Sequence, residues 1–337
     1  MNNELKCLKN SDTKAYIIPT TEWLQPVEPF ITGSSNAKTI ISKLLDKEKI
    51  LVRLTVNNNK RLPLINSKLS KLPGFPLTYC TIICTESADI IDANYIINGK
   101  SAKGFCNGKS SDGYVTLELM KYYKHNKLDD ILKEKIPLEQ LRYFLDQALG
   151  AQIVAFQKYG FVHNDININN FIIEEQKNSI EYRFDFDKRG GFKPIGGKVN
   201  YKVYVIDFGS SEFLDPELRA LYIPNFWIYR NDFKLTNRKY INDDNTLPNN
   251  LFETVKAFLQ LCPNYKENLE KIVKLETQSN QIIDFYNYHY NRHYYTMSNS
   301  SNDFDMFMYK VVPQSIRMLN QIYEELFGEP FTDLANL

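Results

Sequence analysis

The spacing of apolar side chains changes once along the chain, near residue 138, and this change limits the folds that the sequence can adopt. Before it, short apolar runs bounded by turn residues predict strands within 30–41 and at 49–56, 78–84 and 114–120. From 138 to 159 the apolar residues lie mostly on one helical face, with Pro137 at the start, which predicts a long and largely buried helix. The sequence therefore predicts an α+β protein with a β-rich first part and an α-rich second part.

The rest of the chain fits this division. Residues 62–72 have a weak helical pattern, and residues 1–29 have no periodic signal, so we interpret 1–29 as an N-terminal extension. The second part is predicted to contain short strands, a hairpin and three further helices, at 161–162, 171–173, 180–186, 203–206, 251–261, 269–275 and 313–326. We expect a small lobe at 30–120 and a large lobe at 121–337, with a hairpin at about 176–202.

Composition excludes several classes of protein. The 41 Lys and Arg residues balance 40 Asp and Glu residues, so the net charge of +1 gives no field that attracts nucleic acid, and we expect no nucleic-acid partner. No apolar run reaches the ~18 residues of a membrane span, so we expect no membrane partner either. Five cysteines are too few and too scattered for a disulfide framework, which favours a reducing compartment and a cytoplasmic location.

Two polar segments interrupt this globular pattern. One is His163-Asn164-Asp165 with Asn170 five residues after Asp165, and the other is Asp207-Phe208-Gly209 directly after an apolar run. Phosphoryl transfer requires a carboxylate that orients the attacking hydroxyl and oxygen ligands for the metal that neutralises the phosphates. Asp165 is the candidate base, and Asn170 and Asp207 offer the oxygen donors that Mg²⁺ prefers.

These residues resemble a known family. His-x-Asp-x-x-x-x-Asn followed by Asp-Phe-Gly is similar to the catalytic and magnesium-binding loops of protein kinases. The chain resembles most the kinase-like proteins of large nucleocytoplasmic DNA viruses, which share the His-Asn-Asp opening and a long insert ending in Pro and Gly, here at 192–197. Asp207 follows Asn170 by 37 positions, so the intervening hairpin is interpreted as that insertion. If the chain is viral, the expected location is the host cytoplasm.

The resemblance implies a two-lobed, protein-kinase-like fold with a β-rich N-lobe and an α-rich C-lobe. It implies ATP and Mg²⁺ as cofactors, transfer of the γ-phosphoryl to a hydroxyl in the manner of Ser/Thr protein kinases, and a protein substrate. Asp165, Asn170 and Asp207 are then the catalytic residues, and Asn170 and Asp207 also hold the metal. Residues 117–120 fall at the expected hinge, where the main-chain groups of Glu118 and Met120 face adenine.

Three positions depart from the kinase pattern. Arg53 occupies the strand position of the phosphate-binding lysine, and the two side chains are not equivalent because arginine is a planar fork and lysine a point charge. No glutamate lies between Arg53 and the fourth strand, so the usual lysine–glutamate pair is missing. Asn167 occupies the position at which the catalytic loop of Ser/Thr protein kinases has a lysine.

The segment from Gly33 to Lys38 resembles the glycine-rich loop of the with-no-lysine kinases. In this resemblance Lys38 holds the position of the surrogate phosphate-binding lysine.

Two other functions remain open. A pseudokinase, a binding module without turnover, is favoured by Arg53 and the missing glutamate and opposed by the intact Asp165, Asn170 and Asp207. A small-molecule phosphotransferase of the aminoglycoside or choline kinase type has a similar catalytic loop and is favoured by the short segment after Asp207. The Phe and Gly that follow Asp207 favour a protein kinase instead.

Overall fold

The chain folds into a mixed α+β structure with small antiparallel sheets and several helices. The computed structural model describes residues 8–9, 16–17, 24–30, 37–44, 48–57, 65–66, 68–84, 96–97, 100–101, 114–123, 126–184, 195–213, 247–265, 267–269, 271–272 and 301–332. Two compact units divide the chain. Unit 1 comprises residues 1–71 and 76–123, and unit 2 comprises residues 72–75 and 124–337.

Unit 1 is built on a five-stranded antiparallel sheet. Its strands and those of two short pairs are β1 (Leu8–Lys9), β2 (Tyr16–Ile17), β3 (Leu24–Phe30), β4 (Ala37–Leu44), β5 (Glu48–Asn57), β6 (Thr78–Cys84), β7 (Ile96–Ile97), β8 (Lys100–Ser101) and β9 (Tyr114–Lys121). The sheet has the order β3-β4-β5-β9-β6, while β1 pairs with β2 and β7 with β8. Because β9 lies between β5 and β6, it is an inner strand although it comes last in sequence.

The strands at β5, β6 and β9 agree with the apolar runs that predicted them. The main difference is β3, which spans Leu24–Phe30, within an N-terminal extension in which the sequence had no periodic signal. Pro26 and Pro29 obscured this strand, because proline lacks the N–H that an inner strand needs. Since β3 is at the edge of the sheet, only one side of it must form a ladder.

A short helical stretch lies between β5 and β6 in unit 1. The described residues there are helical at 65–66 and 68–69, within the segment for which the sequence gave a weak helical pattern. Ile65 and Leu69 are fully buried, and the N–H of Ser70 donates to the carbonyl oxygen of Asn66 over 2.9 Å. This stretch brings Asn66 into the interior of unit 1, where it is 3% exposed.

Unit 2 contains the helices and the hairpin. Its elements are β10 (Asn126–Lys127), α1 (Leu128–Leu132), α2 (Leu138–Tyr159), β11 (Phe161–Val162), a 3₁₀ turn (Ile168–Asn170), β12 (Phe171–Phe184), β13 (Ile195–Val205), β14 (Glu212–Phe213), α3 (Leu247–Leu261), a second 3₁₀ turn (Pro263–Tyr265) and α4 (Ser301–Phe327). The long helix α2 has the bounds that its apolar face predicted. It ends at Gly160, whose φ of 61° permits its N–H to donate back to Phe156 over 2.6 Å.

The predicted hairpin forms one ladder with the strands that precede and follow it. β12 and β13 pair antiparallel from Phe171 opposite Val205 to Phe184 opposite Ile195, with one irregularity between Glu175 and Ile180. The predicted turn at 187–191 lies outside the described residues. Helix α2 packs against this ladder, and the buried Gln147 amide joins the two elements by donating to the carbonyl oxygen of Tyr201 and accepting from the N–H of Val203.

The last helix is longer than the sequence predicted. α4 spans Ser301–Phe327 and contains Pro313, which the sequence suggested as its start because proline is favoured in a first helical turn. α4 packs on α3, and Ile316, Leu319 and Tyr323 are fully buried. None of the described helices combines the length and the low polarity needed to span a membrane.

Candidate functional site

Two loops of unit 2 carry the residues that the sequence singled out. The first, 163–170, runs from β11 to β12, and the second, 206–211, runs from β13 to β14. β11 pairs with β14 and β12 with β13, so both loops connect the same two strand pairs. The topology therefore brings Asp165, Asn170 and Asp207 into one region although the first and the last are 42 positions apart.

Asn170 joins the two loops. Its carbonyl oxygen accepts a hydrogen bond of 2.8 Å from the N–H of Ile206, which extends the β12–β13 ladder by one residue pair. Its side-chain Nδ2 donates to the carbonyl oxygen of Asp165 over 2.6 Å. The side chain is 5% exposed. Asn170 thus fixes the backbone of Asp165 on one side and that of Ile206, the neighbour of Asp207, on the other.

His163 is a structural residue of the same loops. It is 1% exposed, and its Nε2 lies 2.8 Å from the carbonyl oxygen of Ile206, which assigns the ring proton to Nε2 as the donor. Burial lowers the pKa of His163, and the hydrogen bond to Ile206 and the charges of Asp165 and Asp207 oppose that shift. Buried and neutral, His163 holds the second loop and has no exposed nitrogen for proton transfer.

A buried aromatic cluster packs against residues of both loops. Phe208, the residue after Asp207, packs against Phe75, Phe161 and His163, with ring centroids 5.7 to 5.8 Å apart. Phe208 is buried, whereas Asp207 and Gly209 on either side are exposed. The cluster therefore anchors the second loop while it leaves the Asp207 carboxylate accessible.

Backbone strain is concentrated at these loops. Among the described residues, the non-glycine residues with positive φ are Asn164 and Asp207, each at 63°. Left-handed conformations are uncommon outside glycine, and they cluster at functional sites, where surrounding contacts maintain them. At Asn164 the N–H donates to Oδ1 of Asn250 on α3, and Nδ2 donates to the carbonyl oxygen of Ser210.

The Asp165 carboxylate is exposed at the tip of the first loop. Asn167, where the kinase pattern has a lysine, uses Oδ1 to accept from the N–H of Asn169 and so caps the 3₁₀ turn that carries Asn170. Its Nδ2 lies 3.5 Å from Oδ1 of Asp165. Asn167 supplies no charge, but it stiffens the loop between the two candidate catalytic residues.

The donor set fits a magnesium ion. The bond from Asn170 Nδ2 to Asp165 leaves Oδ1 as the remaining polar atom of that amide, and Asp207 contributes an exposed carboxylate. Within the described part of the chain, no three His, Cys, Asp or Glu side chains cluster as a closed metal site. Mg²⁺ is commonly bound through one or two carboxylates together with waters and substrate phosphates. Asp207 offers one such carboxylate, and the Asn170 amide offers a neutral oxygen.

The predicted phosphate-binding residues belong to unit 1. Arg53 is half-buried on β5, opposite Thr39 on one side and Glu118 on the other. Lys38 is on β4, opposite Leu54. Alternate positions of a strand belong to opposite faces of the sheet, so positions 38 and 53 do not share a face. Gly33 lies outside the described residues.

Glu118 and Met120 lie within strand β9. Both are buried positions of this inner strand, with β5 on one side and β6 on the other, so their main-chain groups face the neighbouring strands. Their contact with adenine stays a prediction. Unit 1 continues to residue 123, beyond the predicted hinge at 117–120. The apolar run 114–120 indicated a strand, but it could not indicate which residue was the last to be paired.

Sequence reasoning missed the residues that support the loops. Ser211 Oγ donates to the carbonyl oxygen of His163 over 2.9 Å. Oδ1 of Asn250, on α3, accepts a hydrogen bond from the N–H of Asn164. Asn250 had no sequence signal because its partner is 86 positions away.

No family model matches the sequence, and no curated protein is significantly similar to it.

Proposed function

We propose that this protein is an ATP- and magnesium-dependent phosphotransferase with a two-lobed, protein-kinase-like fold, and that its acceptor is a hydroxyl of a protein substrate. The observation that supports it most is the coupling of the two loops through Asn170, which places an exposed carboxylate, Asp165, and two oxygen donors in one strained, hydrogen-bonded assembly. A carboxylate for the acceptor and oxygen ligands for a metal are the groups that phosphoryl transfer needs.

Each residue has a distinct role in this proposal. Asp165 accepts the proton of the attacking hydroxyl and orients that hydroxyl. Asn170 Oδ1 and the Asp207 carboxylate bind Mg²⁺, and Arg53 binds the phosphates of ATP. The bound metal neutralises charge on the phosphates during transfer. His163, Asn167 and Ser211 bind no substrate; they hold the loops so that little reorganisation is needed at the reaction step.

The second candidate is a pseudokinase that binds nucleotide without turnover. It is favoured by Arg53, since a guanidinium at the place of the kinase lysine has a different shape and a different set of donors. The third, a small-molecule phosphotransferase, has the same loop chemistry and differs in its acceptor.

Thermal unfolding combined with turnover separates these functions. A ligand that binds only the folded state increases the free energy of unfolding, by about 2.7 kcal/mol when its concentration is 100 times Kd. The melting temperature rises as a result. We expect Mg-ATP to raise the melting temperature of the wild type by several degrees and to leave that of Asp207→Ala unchanged. We expect label transfer from ATP to casein or to the chain itself, and its loss in Asp165→Asn.

The control is Glu324→Gln, which alters an exposed carboxylate on α4, a helix that packs on α2 and α3. It should retain both the shift and the turnover. A shift without transfer to protein or to aminoglycoside and choline acceptors indicates a pseudokinase, and transfer to a small acceptor alone indicates the third function. The absence of any shift in the wild type contradicts the proposed function.

A further inference from the structure

A buried carboxylate in unit 1 has no role in the site described so far. Glu118 is 0% exposed on the inner strand β9. Its Oε1 accepts a hydrogen bond of 2.5 Å from Nδ2 of Asn66. Its Oε2 is buried as well and meets no hydrogen-bond partner among the described residues. An ionised carboxylate in this position is costly unless a cation compensates it.

Arg53 is the cation that stands opposite. The β5–β9 ladder is regular from Ile50 to Asn57, and it pairs Arg53 directly with Glu118. Residues directly opposite in an antiparallel pair project from the same face, with Cβ atoms about 4.5–5.5 Å apart. Burial raises the pKa of Glu118, whereas the charge of Arg53 and the hydrogen bond from Asn66 oppose that rise. The charge of Arg53 thus offsets part of the cost of burying the Glu118 carboxylate.

We propose that Glu118 is a positioning residue, the buried counter-ion that holds the Arg53 guanidinium in place for binding the phosphates of a nucleoside triphosphate. This inference rests on the proposed function. A guanidinium has five N–H donors, and a carboxylate occupies two of them at most, so an arginine held in this way retains donors for phosphate oxygens. Asn66, on the helical stretch of unit 1, holds the Glu118 side chain in place through its hydrogen bond to Oε1.

The pair also explains a departure in the sequence. The stretch between Arg53 and β6 contains no glutamate that can serve as a partner. Glu118 lies directly opposite the same arginine on the adjacent strand. The acidic partner is therefore present, but it lies 65 positions further along the chain and is recognisable only from the strand register.

The experiment compares the affinities of two ligands for four proteins. Calorimetry gives Kd for Mg-ATP and for adenosine with the wild type, Glu118→Gln, Arg53→Met and the double variant. Because only Mg-ATP carries phosphates, we expect each single variant to weaken Mg-ATP binding about tenfold and to leave adenosine binding unchanged. We expect the double variant to be no weaker than Arg53→Met, since Glu118 acts through Arg53. Glu134→Gln, an exposed carboxylate on another segment, is the control.

The outcomes are distinct. If Glu118→Gln binds Mg-ATP as the wild type does, the positioning role is wrong while the proposed function stands. If Glu118→Gln weakens adenosine and Mg-ATP equally, its effect is structural and the inference is again wrong. If the wild type binds no Mg-ATP, the proposed function fails, and the positioning role fails with it. Thermal unfolding of the same four proteins without ligand then still measures whether the two charges interact.

Discussion

The N–H of Ile206 donates a hydrogen bond of 2.8 Å to the carbonyl oxygen of Asn170, and through this bond the two candidate catalytic loops share one backbone ladder. Asn170 is the last residue of the first loop, and Asp207 follows Ile206 in the second. A movement of either loop therefore displaces the other. The relative position of the three proposed catalytic residues is set by hydrogen bonds of the main chain and of the Asn170 amide.

Asn170→Ala tests this coupling. The substitution removes a proposed metal ligand and leaves the carbonyl oxygen of Asp165 without its 2.6 Å donor. We expect turnover to fall about 100-fold or more, as when one preorganised polar contact is removed, and the free energy of unfolding to fall by about 1 kcal/mol. Steady-state kinetics and urea unfolding measure the two effects. Asn169→Ala, at an exposed neighbouring position, should alter neither. Wild-type turnover in Asn170→Ala contradicts the assignment.

His163 should make stability depend on pH. Burial lowers its pKa in the folded protein, while the unfolded chain retains the ordinary value of about 6.5. As pH falls below 6.5, the unfolded state takes up the proton first, so the free energy of unfolding decreases until pH reaches the folded pKa. His163→Gln lacks this titration. The difference in unfolding free energy between the two proteins, measured by urea titration from pH 7.5 to 5, should therefore change with pH. A constant difference contradicts the buried neutral histidine.

Much of unit 2 could be predicted from the sequence because its signals are local. The apolar face of α2 determined both ends of that helix, and Gly160 provided the left-handed residue that ends it. The resemblance to protein kinases implied that Asp165, Asn170 and Asp207 share one site, and the loops that carry them are joined by the bond from Ile206 to Asn170. Local patterns sufficed wherever the partners of a residue lie on the same or the next element.

The remaining features depend on pairing between distant segments. β3 was missed because its prolines are tolerated only at a sheet edge, and edge position is a property of the whole sheet. The place of Glu118 on an inner strand could not be predicted, because β9 has neighbours on both sides only once β5 and β6 pair with it. A one-residue change of register moves every side chain of a strand to the other face, and sequence patterns do not specify register that closely.

The Phe208 ring should contribute strongly to stability. It contacts Phe75, Phe161 and His163 in a cluster that supports the Asp207 backbone. Phe208→Ala removes these contacts and creates a cavity, so we expect the free energy of unfolding to fall by about 3–5 kcal/mol. Phe208→Leu retains most of the volume and should cost less than half as much. Urea unfolding of both variants measures the difference, and equal losses mean that the ring is not packed as described.

Gly74 and Gly328 form a matched pair for testing how the segment 72–75 joins unit 2. Both have positive φ, 78° and 72°, so alanine pays about 1–2 kcal/mol of backbone strain at either position. At Gly328 a new Cβ meets nothing within 4 Å, whereas at Gly74 it overlaps Cβ of Ala151 on α2. The carbonyl oxygen of Gly74 also accepts from the N–H of Val205, the residue that leads into the second loop.

Gly74→Ala must displace either α2 or this hydrogen bond, which adds about 1–3 kcal/mol of overpacking to the strain. We therefore expect Gly74→Ala to lower the melting temperature by clearly more than Gly328→Ala. Because Val205 precedes Ile206 and Asp207, we also expect it to weaken the stabilisation by Mg-ATP, which Gly328→Ala should leave intact. Differential scanning fluorimetry with and without Mg-ATP measures both effects. Equal melting temperatures for the two variants would show that Gly74 does not lie against Ala151.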